Sequence, residues 1–370
     1  MPSAERHIKP AAHVPLAPMT TLGVGGHARW FTCAETVEDV AAASRWCGDA
    51  GVPLVVLGGG TNMVVADEGV DGLVLQVAIR GADFGPRGSR TTLRLGAGEP
   101  WDGSVAAAVS QGLAGLECLS GIPGSVGGTP VQNVGAYGQE VAQTIVEVTA
   151  LDRQSGDIVT LGGGECGFGY RTSRFKREDE GRFVVCEVLF ELAPGLPTVT
   201  YPDVLRQLAH CEVVVPGLAD VRDAVLAVRR RKGMVIDAAD PDTRSVGSFF
   251  MNPVVDAERH AAFVSAAAGP VPGFVRQGGQ VKMPAAWLIE QTGFAPGYQS
   301  GAVGLSSKHP LAIINRGAAA ARDIVVLAGL IKRQVIDRFG IWLRAEPTFI
   351  GFGDDPDVAF LKEVNVDTSN

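Results

Sequence analysis

The chain has 370 residues, more than one hydrophobic core usually supports, so two or three domains are expected. Its 46% hydrophobic and 19% charged residues exclude wholesale disorder, and its formal charge of -8 argues against general nucleic-acid binding, which needs a basic surface. Glycine makes up 48 of the residues, about 13% against a usual share of about 7%. Because this glycine shows no collagen-like period, it predicts many tight loops.

The cysteines are scattered and include no C-x-x-C pair, so the sequence predicts neither a metal site nor a disulfide framework. They are Cys33, Cys47, Cys118, Cys166, Cys186 and Cys211. A reduced, cytoplasmic compartment is the simplest interpretation. Charges and prolines interrupt residues 1–18 before an apolar export signal forms, and no later run of about 18 apolar residues occurs. We therefore expect neither export nor a membrane span.

The first third of the chain alternates predicted helices and strands, and the middle is rich in strands. The predicted elements are a helix at 36–51, strands at 53–58, 72–79 and 91–98, a helix at 99–115, a hairpin at 145–161 and a strand at 183–192. Gly51 is placed to end the first helix, and Ser155 and Gly156 supply the turn of the hairpin.

A proline-rich stretch at 193–203 either connects two units or carries a binding loop. The elements predicted after it are helices at 220–233, 256–269 and 284–293, a strand at 311–317, a long helix with Ile324, Leu327, Ile331 and Val335 on one face, and a last strand at 340–351. The helix at 220–233 has an acidic start and a basic end, which complements the helix dipole.

Two glycine-rich segments are candidates for binding phosphate. In LGGGTN, Leu57–Asn62, the glycines after a strand either form a nest of N–H groups for a phosphate or make an ordinary turn. The segment lacks the G-x-G-x-x-G spacing of a Rossmann fold. The segment GIPGSVGGTPVQNVGAYGQE, residues 121–140, is more specific, because a plain loop rarely needs so many glycines. We expect it to wrap a pyrophosphate and to present amides to a ring system.

Two further stretches could carry chemistry. In CGFGYRTSRFK, Arg171 follows Tyr170 and two glycines, and it is either a bidentate partner for an anion or a solvated arginine. In GSFFMNP, Gly247–Pro253, a strand-like segment places a serine after a glycine and before two phenylalanines. Ser248 is either a reactive hydroxyl or a strand-end residue, and at least one of Phe249 and Phe250 should be buried.

These segments, in this order, resemble the UDP-N-acetylenolpyruvoylglucosamine reductase (MurB) family, in the branch with an extra tyrosine-bearing loop. The resemblance extends from near Thr20 to near Gly351. It implies an α+β chain with an FAD-binding domain of the vanillyl-alcohol-oxidase/PCMH type, in two subdomains, and a C-terminal substrate domain of the family's own type. The implied division is 15–80 and 81–230 for the two FAD subdomains, 231–340 for the substrate domain, and 341–358 for a return to the first subdomain.

The resemblance also implies a reaction of peptidoglycan precursor synthesis. NADPH reduces FAD, and the reduced flavin delivers hydride to UDP-N-acetylglucosamine enolpyruvate, giving UDP-N-acetylmuramate. Arg171 matches the residue that stabilises the enolate-like intermediate, Ser248 the proton donor, and Glu346 a carboxylic acid that assists the intermediate when protonated. Alternation in the last strand, taken alone, favours a solvated Glu346 paired with Arg344.

The binding residues divide into two sets. The predicted cofactor contacts are Gly58, Gly59, Gly60, Thr61, Asn62, Ile122, Pro123, Gly124, Gly127, Gly128, Gln132, Asn133, Gly135, Ala136, Tyr137 and Gly138. The predicted substrate contacts are Tyr170, Tyr201, Lys232, Asn252 and His309. The cations Arg229–Arg231 before Lys232 are interpreted as favourable residues at a helix C-terminus.

Some positions depart from the family pattern. Thr61 stands in place of a serine, Met251 in place of a lysine of some members, and Ala295 in place of a lysine that contacts phosphate. Lys308 and His309 are candidates to replace that contact. Two alternatives are an FAD-linked oxidase of the same fold and a non-catalytic protein that binds flavin or UDP-sugar. The joint presence of the three catalytic candidates favours the reductase. We expect a monomer whose ligands are FAD, NADPH and the UDP-sugar.

Overall fold

The computed structural model describes residues 8–266, 269–276 and 278–364. The chain forms two compact units. The first unit contains the described residues up to Pro15, Ala28–Gly60 and Val70–Val235. The second contains Leu16–His27, Thr61–Gly69 and the described residues from Ile236 onward. The sequence-predicted division into four segments is finer than this one, and it remains a prediction.

Within the described residues the helices are α1 (Val37–Ala50), α2 (Trp101–Ser110), α3 (Pro202–His210), α4 (Leu218–Arg231), α5 (Ala257–Ala266), α6 (Ala285–Gln291), α7 (Ala321–Phe339) and α8 (Pro356–Lys362). The strands are β1 (Ala11–Pro15), β2 (His27–Ala34), β3 (Leu54–Leu57), β4 (Met63–Val65), β5 (Val70–Val77), β6 (Ala82–Arg87), β7 (Arg90–Gly96), β8 (Leu113–Ala114), β9 (Gly135–Ala136), β10 (Gln139–Glu140), β11 (Ile145–Asp152), β12 (Ile158–Gly162), β13 (Phe183–Pro194), β14 (Val254–Val255), β15 (Phe274–Val275), β16 (Val281–Lys282), β17 (Gln299–Ser300), β18 (Val303–Leu305), β19 (Ile313–Asn315) and β20 (Thr348–Ile350).

Two larger sheets build the first unit. One has the order β1-β2-β5-β3, in which β5 pairs in parallel with both β2 and β3. Most of β5 is buried, as expected for a central parallel strand covered on both faces. The other sheet has the antiparallel order β12-β11-β13-β7-β6, with the short β8 also paired to β13. Their apolar side chains form one core, which includes Trp101 and Phe190.

Local sequence signals account for several boundaries in this unit. Thr36 and Asp39 form a reciprocal capping box at the start of α1, and Gly51 ends the helix in the left-handed conformation with φ 64°. The hairpin of β11 and β12 turns at Gly156, as predicted. A smaller cluster, which includes Val204, Leu208 and Val225, joins α3 to α4.

The second unit is built around the long helix α7. Its residues Ile324, Leu327, Ile331 and Val335 are all buried, which confirms the predicted apolar face. The carboxylate of Asp67 accepts hydrogen bonds from the first N–H groups of α7, at 2.7 Å from Ala321. The small sheets β14-β16-β15 and β17-β18-β19 and the parallel pair β20-β4 complete the unit.

Two sequence-based expectations need correction. Within the predicted last strand, 340–351, only Thr348–Ile350 is a strand. The residues before it make only single backbone hydrogen bonds, in which the carbonyl of Arg344 accepts from Met251 and the N–H of Glu346 donates to Phe249, so they form no continuous ladder. Residues 247–253 are also not a regular strand, since Gly247 has φ 77° and bends the chain. The helix predicted at 256–269 is α5, and residues 267 and 268 lie outside the described residues.

The sequence reading did not predict β2, α3 or α8. Strand β2 has mixed burial, so its side chains do not alternate regularly. Helices α3 and α8 are only 9 and 7 residues long, so their periodic patterns are short. Among the described residues, no helix combines the length and the apolar composition needed to cross a membrane.

Candidate functional site

The first glycine-rich loop leaves β3 at Leu57 and packs directly against the second. A Cβ atom added to Gly59 would lie 2.6 Å from the Cα of Gly124, and one added to Gly58 would lie 2.8 Å from Ser125 Oγ. The distance at Gly59 is too short for any side chain, so glycine is required there for the two loops to touch backbone to backbone, whereas the contact at Gly58 is with the side chain of Ser125. Gly60 ends this loop with φ 64°.

The second glycine-rich segment is held in place by hydrogen bonds from neighbouring backbone. Ile122 and Pro123 lead into Gly124, whose carbonyl accepts from the N–H of Trp101 at 3.0 Å. Gly127 and Gly128 lie in a 3-10 turn, and the N–H of Gly127 donates to Ala97 at 2.8 Å. The segment is therefore anchored to the start of α2 and to the residue that follows β7.

Asn133 supports the end of this segment from the inside. It is 1% exposed, and its Nδ2 donates to Glu140 at 2.8 Å and to the carbonyl of Gly169 at 3.0 Å, while its Oδ1 accepts from the N–H of Ala142. The side chain of Asn133 thus ties three loops together. Gln132, directly before it, is half-buried.

The strands β9 and β10 form a tight hairpin beyond Asn133. Gly135 and Ala136 pair with Glu140 and Gln139 across a two-residue turn made by Tyr137 and Gly138. Both turn residues have positive φ, 50° and 91°. This is the pattern of a type I′ turn, in which a tyrosine at the first position is unusual. The turn directs the Tyr137 ring onto Tyr201, with the ring centroids 5.2 Å apart.

Tyr170 and Arg171 occupy the tip of another two-residue turn, closed by mutual backbone bonds between Gly169 and Thr172. Arg171 has φ 56°, a strained value for a non-glycine residue, and such strain is often found at functional sites. Its Nη2 donates to the carbonyl of Gly135 at 2.7 Å, and its guanidinium lies 5.4 Å from the centroid of the Tyr170 ring. The first unit therefore brings Arg171 to the β9–β10 hairpin.

Arg229, interpreted from the sequence as a favourable helix-end residue, also lies beside the second glycine-rich segment. Its Nη2 does donate to the carbonyl of Met234, just beyond the helix, at 2.8 Å. Its Nε, however, is buried without a hydrogen-bond partner among the described residues, and it lies next to Gly121. Burial lowers the pKa of Arg229, while interactions with Tyr137 and Asp102 oppose this shift. An arginine normally stays charged even so.

A periodic signal could have identified Arg229. It stands four and eight residues after Val225 and Val221, which are both buried, so it lies on the inner stripe of α4. Arg230 is exposed, in agreement with the interpretation as a favourable helix-end residue.

The predicted substrate contacts of the first unit meet at the start of α3. Tyr201 precedes this helix and is 40% exposed. Lys232, at the end of α4, forms a salt bridge of 2.7 Å with Asp203 in the first turn of α3. The hydrogen bond from Lys232 lowers the pKa of Asp203, and Arg206 adds to this effect. Burial raises the pKa of Tyr137, and the charges of Arg229 and Lys232 oppose that rise.

In the second unit, Ser248 lies opposite His309. The N–H of Phe249 donates to the carbonyl of Leu311 at 2.8 Å, which aligns the two segments, and Ser248 Oγ is 3.3 Å from His309 Nε2. Phe249 and Phe250 are both buried, at 0% and 1% exposure, with their rings edge to face. Because the segment is bent rather than a regular strand, both rings can enter the same core.

Backbone bonds bring Glu346 and the end of the first glycine loop to the same region of this unit. The N–H of Glu346 donates to the carbonyl of Phe249 at 2.9 Å, and the N–H of Thr348 donates to the carbonyl of Asn62 at 3.0 Å. The carbonyl of Thr61 accepts from Thr21 Oγ1 at 3.5 Å. Glu346 is half-buried, whereas the pattern alone favoured a solvated residue.

Asn252 and Lys308 have other partners in the second unit. Asn252 Oδ1 accepts from the N–H of Ala285, so this side chain caps the start of α6 and keeps its Nδ2 for other contacts. Lys308 forms a 2.5 Å salt bridge with Asp240, which raises the pKa of the lysine. Lys308 is thus already paired with a carboxylate, which weakens its candidacy as a replacement phosphate contact.

The residues of the first unit fit a pyrophosphate-bearing cofactor. The two glycine-rich loops offer backbone without side chains, and the buried Nε of Arg229, beside Gly121, has no hydrogen-bond partner in the part of the chain that the structure describes. A fixed cation and close backbone approach are the features that anionic phosphates require.

Comparisons with known proteins agree with this geometry. Residues 28–162 match the family model described as FAD binding domain, and residues 240–350 match that described as UDP-N-acetylenolpyruvoylglucosamine reductase, C-terminal domain. UDP-N-acetylenolpyruvoylglucosamine reductase of Thermobifida fusca is 48% identical over 350 residues, covering 92% of this chain and 98% of that protein. The protein of the same name from Streptomyces coelicolor is 48% identical over 91% of this chain and 89% of its own length.

A solved structure shows the same fold. The crystal structure of UDP-N-acetylenolpyruvylglucosamine reductase (MurB) from Thermus caldophilus is 26% identical, with a TM-score of 0.63, and covers 92% of this chain and 99% of its own. The predicted fold class is confirmed as an α+β chain with an FAD-binding domain and a C-terminal MurB-type domain. At 48% identity over nearly its whole length, the chain belongs to the UDP-N-acetylenolpyruvoylglucosamine reductase family of FAD-dependent oxidoreductases.

Proposed function

We propose that this chain reduces UDP-N-acetylglucosamine enolpyruvate to UDP-N-acetylmuramate, with NADPH as the source of electrons. The observation that carries the proposal is the placement of Ser248 beside His309, on a segment whose next residue bonds to Glu346. An oxidase that passes electrons to oxygen has no carbon to protonate, and therefore needs no group placed to donate a proton to carbon. Both partners of the reaction are small anionic molecules, in keeping with local cations on a net-acidic chain.

Bound FAD, which the two glycine-rich segments would hold, would supply the redox chemistry that links NADPH to the enolpyruvyl group. The residues of the chain manage the charge and the proton. Arg171 is proposed to face the substrate carboxylate, where a fixed cation stabilises the negative charge that develops in the transition state. Its bond to the Gly135 carbonyl and its strained turn hold the guanidinium in one orientation.

Ser248 is proposed to donate its hydroxyl proton to the substrate carbon that carries the developing negative charge. Glu346, in its protonated form, is proposed to donate a hydrogen bond to the same intermediate. The buried rings of Phe249 and Phe250 support this assignment, because they hold the segment rigid and keep water from its inner side.

The binding assignments are proposed on the same basis. We assign the cofactor to the two glycine-rich segments, Leu57–Asn62 and 121–138, with Arg229 as an additional contact. We assign the UDP-sugar to Tyr170, Tyr201, Lys232, Asn252 and His309. Asn133 would contribute through its backbone, since its side chain is already engaged.

The domain division is also proposed as 15–80, 81–230, 231–340 and 341–358. A cytoplasmic monomer fits the scattered free thiols and the nucleotide-linked substrate.

The decisive experiment separates the two half-reactions under anaerobic conditions. The purified yellow protein is reduced with NADPH and then mixed with UDP-N-acetylglucosamine enolpyruvate, while flavin absorbance is followed. We expect rapid reoxidation by the substrate. Reoxidation only by oxygen would favour the oxidase alternative, and a flavin that NADPH leaves oxidised would contradict the proposed reductase.

The role of Ser248 is tested with the Ser248→Ala variant. We expect reoxidation by the substrate to slow by a factor of about 10² to 10⁴, the usual contribution of a general acid, while reduction by NADPH stays nearly unchanged. Ser300→Ala, at an exposed serine of β17, is the matched control. Equal damage to both half-reactions would indicate a structural role for Ser248.

A further inference from the structure

His309 is fixed in position by its own turn. Its carbonyl accepts from the N–H of Ala312 at 3.1 Å, and the carbonyl of Leu311 accepts from Phe249. On the other side, Ser307 donates through both its N–H and its hydroxyl to the buried carboxylate of Asp242. The turn is thus tied both to the serine segment and to the loop before it.

The side chain of His309 meets the hydroxyl of Ser248. Its Nε2 is 3.3 Å from Oγ, and general acids are often this loosely hydrogen-bonded before substrate is bound. The neighbouring Lys308 turns away to Asp240, so of these two adjacent basic residues only the histidine contacts the serine.

A serine that protonates carbon needs a source of protons. A hydroxyl is a weak acid, and an alkoxide left in a half-buried position costs free energy unless it is neutralised at once. Histidine is the side chain whose unperturbed titration lies nearest to neutral pH, so it can both donate a proton and recover it from solvent.

We propose that His309 is the proton source behind Ser248. In this step the O–H bond of Ser248 breaks as the new C–H bond of the product forms, and the Nε2 proton of an imidazolium His309 passes to Oγ. The serine ends as a neutral hydroxyl, and His309 ends as a neutral imidazole that takes one proton from solvent. No other reactant is needed. The inference rests on the proposed role of Ser248 as the proton donor.

The proposal replaces the role of substrate contact that the family resemblance implies for His309, and it leaves the other assigned substrate contacts unchanged. The two roles are separated by a double-mutant cycle that combines His309→Gln with Ser248→Ala. Glutamine can donate a hydrogen bond from a similar position, but it cannot give up a proton at neutral pH. His210→Gln, at an exposed histidine of α3, is the matched control.

We expect His309→Gln to slow flavin reoxidation by the substrate about 10²-fold, with substrate affinity and reduction by NADPH unchanged. In the Ser248→Ala background the same change should have no further effect, because the proton no longer passes through the hydroxyl. Flavin absorbance and the far-ultraviolet spectrum report whether each variant is folded.

Several outcomes would overturn the proposal. A wild-type rate in His309→Gln would show that only a hydrogen bond is needed, and equal slowing in both backgrounds with weaker substrate binding would make His309 a substrate contact. Failure of the underlying function is distinguishable, since a wild-type rate in Ser248→Ala alone would remove Ser248, and not only His309, from the reaction.

Discussion

Each unit contains a cation with buried donor atoms, and the two cations differ in how their hydrogen bonds are satisfied. Lys332, in α7 of the second unit, is fully buried, and its Nζ donates to the carbonyls of Phe360 and Glu363 at 2.5 Å each. Arg229, in α4 of the first unit, has a buried Nε with no partner among the described residues.

The difference separates a cation whose donors are satisfied within the protein from one that we propose as a ligand contact. The donors of Lys332 meet carbonyls at the end of α8, so this lysine caps a helix and holds the C-terminal segment in place. A buried donor without a partner is costly, and native structures rarely keep one unless a ligand or water completes it. We therefore propose Arg229 as a ligand contact, whereas the donors of Lys332 are used within the second unit.

The strongest test of this comparison is at Arg171. Lysine keeps the charge but loses the planar guanidinium that bonds to the carbonyl of Gly135 and faces Tyr170. We expect Arg171→Lys to slow reoxidation of reduced flavin by the substrate by a factor of about 10² to 10³. Stopped-flow absorbance measures this rate. Arg177→Lys, at an exposed arginine of the same loop, is the control, and equal losses in both variants would contradict the assignment.

A second test uses the pH dependence of stability at Lys332. Burial lowers the pKa of this lysine from 10.5 to about 8. Between these two pH values the unfolded chain holds the proton of this lysine while the folded protein does not, so the free energy of unfolding falls as the pH falls. The stability present above pH 10.5 is therefore lost as the pH falls to about 8. The free energy of unfolding of the native protein, relative to Lys332→Met, should therefore rise by up to about 3 kcal/mol between these pH values.

Urea unfolding at a series of pH values measures this difference. Lys362→Met, at an exposed lysine of α8, should show no such trend. A flat difference for Lys332→Met would mean that the carbonyls and the nearby Phe360 ring offset the cost of burying the charge.

The third test concerns Arg229 and the cofactor. If its Nε completes a hydrogen bond to bound FAD, Arg229→Gln should raise the dissociation constant of FAD about 10- to 100-fold, the value of one hydrogen bond to a charged group. Ultrafiltration followed by flavin fluorescence measures the loss. Arg230→Gln, one residue further along α4, should retain FAD normally. Equal retention in both variants would reduce Arg229 to a helix-end residue.

Much of the fold was predictable because it depends on local patterns. The apolar face of α7, the end of α1 at Gly51 and the β11–β12 hairpin each follow from periodicity or turn chemistry within one segment, and the structure confirms all three. The glycine-rich motifs likewise identified the family from residues that stand close together in the sequence.

The chemistry of the candidate site was less accessible from the sequence, because it depends on side chains that meet across long separations. Alternation in the last strand placed Glu346 on an outer face, yet the backbone bond to Phe249 half-buries it. The run of cations before Lys232 resembled a solvated helix end, although Arg229 lies on the buried stripe of α4.

The sequence by itself determined the family, the fold class and the identity of the candidate catalytic residues, because motifs and periodicity are local properties. Only the tertiary structure decided that both Phe249 and Phe250 are buried, that Arg171 is held in a strained turn, and that Ser248 meets a histidine 61 residues away. The physical reason is that pairing between distant segments depends on backbone bonds such as that between Phe249 and Leu311, which no local pattern encodes.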